Sequence, residues 1–154
     1  MTRSLLVVTH SRSGSTARLR DALLEGAAEG GQDAVVVRSL GPLDARPDDV
    51  LAADAIVIAT PTNFGWMAGL TKDFFERIWH PCVDVSAGKP FALVVKGSTD
   101  ADGGLASVQK IVTGLQWRQV AEPLVVVGDL EQDHLDAAWE LGATVAAGLA
   151  ESMW

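Results

Sequence analysis

Four hydroxyl residues crowd one short stretch, Ser11-Arg12-Ser13-Gly14-Ser15-Thr16, just after an apolar run that ends at Thr9. Apolar residues then recur at helical spacing, at Leu19, Ala22, Leu23 and Ala27, so the stretch opens a helix. A helix N-terminus presents N–H groups without intrahelical partners and carries partial positive charge. Ser11, Ser13, Ser15 and Thr16 add hydroxyl donors, Gly14 lets the backbone approach closely, and Arg12 adds a cation. That donor set suits a phosphate monoester. The plainer alternative is that Ser15 or Thr16 caps the helix, although capping needs only one such residue. The stretch lacks the Lys and spacing of a P-loop and the G-x-G-x-x-G fingerprint, which disfavours ATP, GTP and NAD(P) as its ligand.

Two further segments carry chemistry. Pro61-Thr62-Asn63-Phe64-Gly65-Trp66 follows another apolar run and sets aromatics beside a glycine. Such rings stack on planar ligands while backbone N–H groups meet the ligand edge, and either aromatic could equally be a core residue. Gly97-Ser98-Thr99-Asp100-Ala101-Asp102-Gly103-Gly104 is a third small, polar segment. It reads either as a surround for the polar edge of a ligand, with Asp100 or Asp102 accepting from a ring N–H, or as an ordinary surface turn.

The elements that must position these loops alternate between strand and helix. Strands are expected at Ser4–Thr9, Ala34–Val37, Asp54–Thr60, Pro90–Lys96 and Pro123–Val127. Helices are expected at Thr16–Glu29, ended by Gly30-Gly31, and at Thr71–Trp79, Leu105–Leu115 and Glu131–Met153, with a short one starting at Asp48 or Asp49. Near-continuous apolar strands separated by helices imply a parallel sheet covered on both faces. Right-handed crossovers then favour an α/β doubly wound sheet of order 2-1-3-4-5. Ligands of such sheets bind outside the carboxyl ends of the strands, where all three segments fall.

The segment Ser11-x-Ser13-Gly14-x-Thr16 resembles the (S/T)-x-(S/T)-G-x-(S/T) phosphate loop of flavodoxins, directly after the first strand. The stretch PTNFGWMAGLTKDFFERIW is similar to the flavin loop and following helix of flavodoxin-like NAD(P)H:quinone oxidoreductases and FMN reductases, with Pro61, Phe64, Gly65, Met67, Lys72, Phe74 and Arg77 matching. The resemblance implies a flavodoxin-like three-layer sandwich over residues 1–154 as one domain. It implies FMN as cofactor, held by Ser11 to Thr16, by Pro61 to Trp66, and by Gly97, Ser98, Thr99 and Gly103. It also implies NADH or NADPH as co-substrate and a quinone or similar small molecule as acceptor. The alternative within the same resemblance is a non-enzymatic electron carrier serving a redox protein partner. No side chain stands out as a catalytic acid or base, and flavin chemistry needs none, because the cofactor performs the redox work.

Other classes fit less well. A receiver domain of the same topology needs an aspartate ending the third strand, where Thr60-Pro61 stands; a low-molecular-weight phosphatase needs a cysteine in the first loop. His10, His80 and His134 lack metal-ligand spacing. His80 and Cys82, flanking Pro81, read as part of a structural loop. A net charge of −8 disfavours nucleic acid as a partner, and no segment approaches the length of a membrane span. One cysteine precludes an internal disulfide and suits the cytoplasm. The third loop runs quickly into its helix, so the pocket leaves room for a partner subunit in a homo-oligomer.

Overall fold

The computed structural model describes residues 2–154. The element order is β1 (Arg3–Thr9), α1 (Ser15–Gly31), β2 (Val35–Leu40), α2 (Pro47–Ala52), β3 (Ala55–Asn63), β4 (Trp66–Met67), α3 (Gly69–Cys82), β5 (Pro90–Gly97), α4 (Asp102–Gly114), β6 (Arg118–Gln119), β7 (Leu124–Val127) and α5 (Gln132–Ala150). The parallel sheet runs β2-β1-β3-β5, with β6 and β7 both pairing along the far edge of β5. The expected order 2-1-3-4-5 is therefore present. The last strand is split in two, and the short antiparallel β4 is added to β3.

Alternate side chains of β1 enter two different cores. Leu5 and Val7 pack with Leu19, Leu23 and Ala27 of α1 and with Val145 and Leu149 of α5. Leu6 and Val8 pack with Val50 of α2, Phe74, Phe75 and Ile78 of α3, and Val108 and Val112 of α4. Helices on both faces explain why β1, β3 and β5 read as unbroken apolar runs. The edge strands β2 and β7 are buried only at intervals.

Several element ends shift by a few residues from the sequence expectation, and three of the differences have a specific structural reason. The pair Gly30-Gly31 does not stop α1 but forms its last turn, and the chain turns at Gln32, with φ 45°. A Cβ on Gly30 would meet the Ala143 backbone of α5, so this glycine serves close helix packing. His80 and Cys82 lie in the last turn of α3 rather than in a loop, and Cys82 is fully buried. A proline so near the end of a helix displaces few intrahelical bonds. The third strand continues past Thr60 to Asn63, because Pro61 lacks only its own N–H and still takes a place in the ladder opposite Lys96.

Candidate functional site

The first loop joins β1 to α1. Gly14 is the N-cap residue, at φ 100°, a left-handed conformation that side-chain-bearing residues rarely adopt. The Ser11 hydroxyl accepts from the N–H of Gly14 at 3.2 Å and from that of Ala17 at 3.1 Å. Ser11 is thus the residue that caps α1, in place of Ser15 or Thr16. The N–H groups of Ser15 and Thr16 stand in the first turn, where no intrahelical acceptor exists.

The second loop is a hairpin. Asn63 pairs with Trp66 and Thr62 with Met67, leaving Phe64 and Gly65 as the two turn residues. Both have positive φ, 52° and 72°, as a type I′ turn requires. Phe64 is fully exposed at 109% and Trp66 is 44% exposed, so neither is a core residue. The base of the hairpin is held from below. Thr60 Oγ1 accepts the Ala68 N–H at 3.1 Å, and Ser107 Oγ accepts the Met67 N–H at 3.0 Å.

The third loop leaves β5 and enters α4 at Asp102. The Asp100 carboxylate accepts the Asp102 N–H at 2.8 Å, which commits that oxygen to the start of the helix. Gly103 and Gly104 lie beneath the hairpin: a Cβ on Gly103 would collide with the Gly65 carbonyl, and one on Gly104 with the Thr62 hydroxyl. Gly103 therefore acts by letting the second loop rest on α4.

The loops converge on a cleft of about 270 Å³ lined by Arg12, Ser13, Thr16, Pro61, Thr62, Asn63, Lys96, Gly97 and Ser98. Eight of these nine are residues singled out from the sequence. A second concavity, of about 390 Å³, lies on the other flank of the first loop; Ser11 and Gly14 line it with Thr9 and His10, and Arg12 lines both. Ser15, Phe64, Gly65, Trp66, Thr99 and Gly103 line neither. Lys96 is the lining residue that sequence reasoning missed. Its signal was a lone cation at the end of the apolar run PFALVVK.

The donors fit a phosphorylated, polar ligand such as FMN. Two cations, the Ser13 and Thr16 hydroxyls and the open turn of α1 suit the phosphate. The Thr62 hydroxyl is turned away from the cleft, buried against Gly104 beneath the hairpin, and finds no hydrogen-bond partner among the described residues.

The titratable groups with shifted pKa values lie away from the cleft. Burial pushes the Cys82 thiol up, with Asp48 adding to the rise and Lys89 opposing it. Burial lowers Lys89, whose ammonium donates to the Ala53 carbonyl, while Asp54 and Cys82 oppose the change. A thiol held protonated in a core is not a nucleophile.

The family model for NADPH-dependent FMN reductase matches residues 43–131, more than half of the chain. The chain belongs to the NADPH-dependent FMN reductase family. The match takes in the whole hairpin, the third loop and Lys96. Among curated relatives, an NAD(P)H dehydrogenase (quinone) of Archaeoglobus fulgidus is 30% identical over 49% of this chain and 52% of its own length, so the chain spans about half of that relative. An NAD(P)H dehydrogenase (quinone) of Geotalea daltonii is 25% identical over 94% of this chain and 83% of its own. Among solved structures, a flavodoxin from the domain Archaea superposes with a TM-score of 0.83 at 18% identity, covering 95% of this chain and 98% of that one. A WrbA-like flavodoxin from Agrobacterium tumefaciens gives 0.76 at 24% identity, covering 98% and 99%. These likenesses show that this member of the FMN reductase family has the flavodoxin-like fold.

Proposed function

We propose that this chain is an FMN-dependent oxidoreductase that takes hydride from NADPH or NADH and reduces a quinone or a similar small acceptor. The observation that carries the reading is the convergence of three strand-end loops on one cation-bearing cleft beside the open N-terminus of α1. Family membership supports FMN, and the two relatives named as NAD(P)H dehydrogenases (quinone) support the donor and acceptor. Bound FMN would accept hydride from the nicotinamide and pass two electrons to the acceptor.

The chain's own residues bind and orient. Ser13, Thr16, Arg12 and the first turn of α1 hold the phosphate. Pro61 to Asn63 and Gly97 to Ser98 line the cleft on either side, and Ser11 and Gly14 fix the loop that presents the donors. Phe64 and Trp66, carried on the β3–β4 hairpin, offer aromatic surface at its tip. The same reading takes residues 1–154 as one working domain in the cytoplasm, supported by a single buried thiol. No helix among the described residues is long and apolar enough to cross a membrane.

Anaerobic stopped-flow absorbance tests the reading. Either nicotinamide nucleotide should bleach the bound flavin without a helper protein, and a small quinone should restore it. If only dithionite bleaches it, the chain is a carrier for a redox partner instead.

A further inference from the structure

The chain has 20 acidic and 12 basic residues. The three-loop cleft reverses that balance. Its lining holds two cations, Arg12 and Lys96, and no carboxylate. Neither cation joins an ion pair among the described residues. Lys96 stands one residue from the end of β5, a strand otherwise apolar up to that point. Its register places it opposite Pro61 of β3 and Val126 of β7, at the carboxyl edge of the sheet.

Lys96 is half-buried, and its ammonium donates to the Gly97 carbonyl at 3.1 Å. An ammonium has three N–H donors, and that bond uses one. An anion in the cleft would take up the remaining donors. A monoester phosphate carries roughly −1.5 to −2 at neutral pH. A helix N-terminus supplies about half a positive charge, so with Arg12 alone the most ionised form stays incompletely neutralised.

We propose that Lys96 is the second cation of the phosphate site: β5 supplies an ammonium to the cleft that the first loop serves through Arg12, and Lys96 makes the protein select FMN over riboflavin. The inference rests on the FMN reading above. The lining favours the phosphate over the flavin ring as the target. Lys96 shares the cleft with Arg12, Ser13 and Thr16, and neither Phe64 nor Trp66 lines it.

The test is calorimetric titration of flavin-free protein with FMN and, separately, with riboflavin. Lys96→Met keeps an apolar stem and removes the charge; Lys96→Arg keeps the charge. A charge-assisted hydrogen bond accounts for about tenfold or more in affinity. Lys96→Met should weaken FMN by at least that factor and riboflavin by less than about twofold. Lys96→Arg should recover most of the FMN affinity. The FMN affinity of Lys96→Met should also depend less steeply on salt than that of the wild type, since one charge pair is gone. If Lys96→Met fails to fold, Lys96→Gln takes its place in the same titrations. Unchanged FMN affinity, or an equal loss for both flavins, overturns the assignment while the FMN reading stands. Wild-type protein that binds riboflavin as tightly as FMN, or binds neither, overturns the phosphate site itself.

Discussion

The Met67 N–H donates to the Ser107 hydroxyl at 3.0 Å, and that hydroxyl in turn donates to the Gly104 carbonyl at 3.0 Å. One buried side chain on α4 therefore fastens the β3–β4 hairpin to the start of the helix beneath it. Ser107→Ala would leave the Met67 N–H buried without its acceptor, a loss of about 1–3 kcal/mol. The expected result is a lower urea midpoint and an FMN affinity reduced several-fold, because Pro61 to Asn63 line the cleft from the same hairpin. An unchanged midpoint would show that the hairpin holds without this bond.

Gly14 tests the first loop. Its φ of 100° disfavours any side chain, and a Cβ there meets nothing within 4 Å, so strain and charge act without a steric clash. Gly14→Asp adds a carboxylate beside the proposed phosphate site. FMN affinity should fall at least about tenfold, with riboflavin less affected. Parallel titrations of the two flavins check this, and an equal fall for both would point to general distortion of the loop.

The sheet order and the three loops were legible because β1, β3 and β5 are buried on both faces and so read as unbroken apolar runs. The first loop stood out because its hydroxyls exceed what one helix cap needs. The hairpin was not. Pro61 signals a strand end in isolation, and nothing local shows that β3 can continue past a residue lacking an N–H. The turn Phe64-Gly65 also departs from the Asn-Gly or Asp-Gly pairs that announce type I′ hairpins. Lys96 went unnoticed because it marks where an apolar run stops, and only the register with Pro61 sets it in the cleft. Gly30-Gly31 looked like a stop because close packing between α1 and α5 leaves no trace in local sequence.

Asp49 gives a pH dependence away from the cleft. Burial pushes its carboxyl up, but the Arg46 N–H, the Arg38 guanidinium at 2.8 Å and the charge of Arg46 outweigh it, and the net shift is downward. A carboxylate lowered in the folded state stabilises above its unfolded pKa and loses that contribution as pH falls through the folded value. Wild type should exceed Asp49→Asn by about 1 kcal/mol or less at neutral pH, since the Arg38 partner is half-exposed. The difference should shrink below about pH 4. Urea denaturation of both proteins across that range checks the sign; a gap that widens in acid would refute it.

Phe64 is the residue where stability and function should part. It is a bulky side chain at φ 52°, fully exposed, at the first central position of a two-residue turn. A left-handed conformation at such a residue costs about 1–3 kcal/mol, and asparagine tolerates it far better. Asn-Gly is also the pair that type I′ hairpins favour. Phe64→Asn should therefore raise folding stability, by about 0.5–1.5 kcal/mol once the remaining strain at asparagine is allowed for. No packing is lost, because Phe64 touches little of the core. Such a residue persists where the surrounding structure and its use sustain it, and an aromatic at the tip of the hairpin suits a flavin ring or an incoming nicotinamide. The same variant should then bind FMN more weakly, show brighter bound-flavin fluorescence, or turn over NADPH more slowly. Urea midpoints, flavin fluorescence and steady-state rates on one preparation decide the matter. A variant that is more stable and loses nothing would leave Phe64 without a part in the site, and a less stable one would mean that its ring packs against a surface outside this chain's own core.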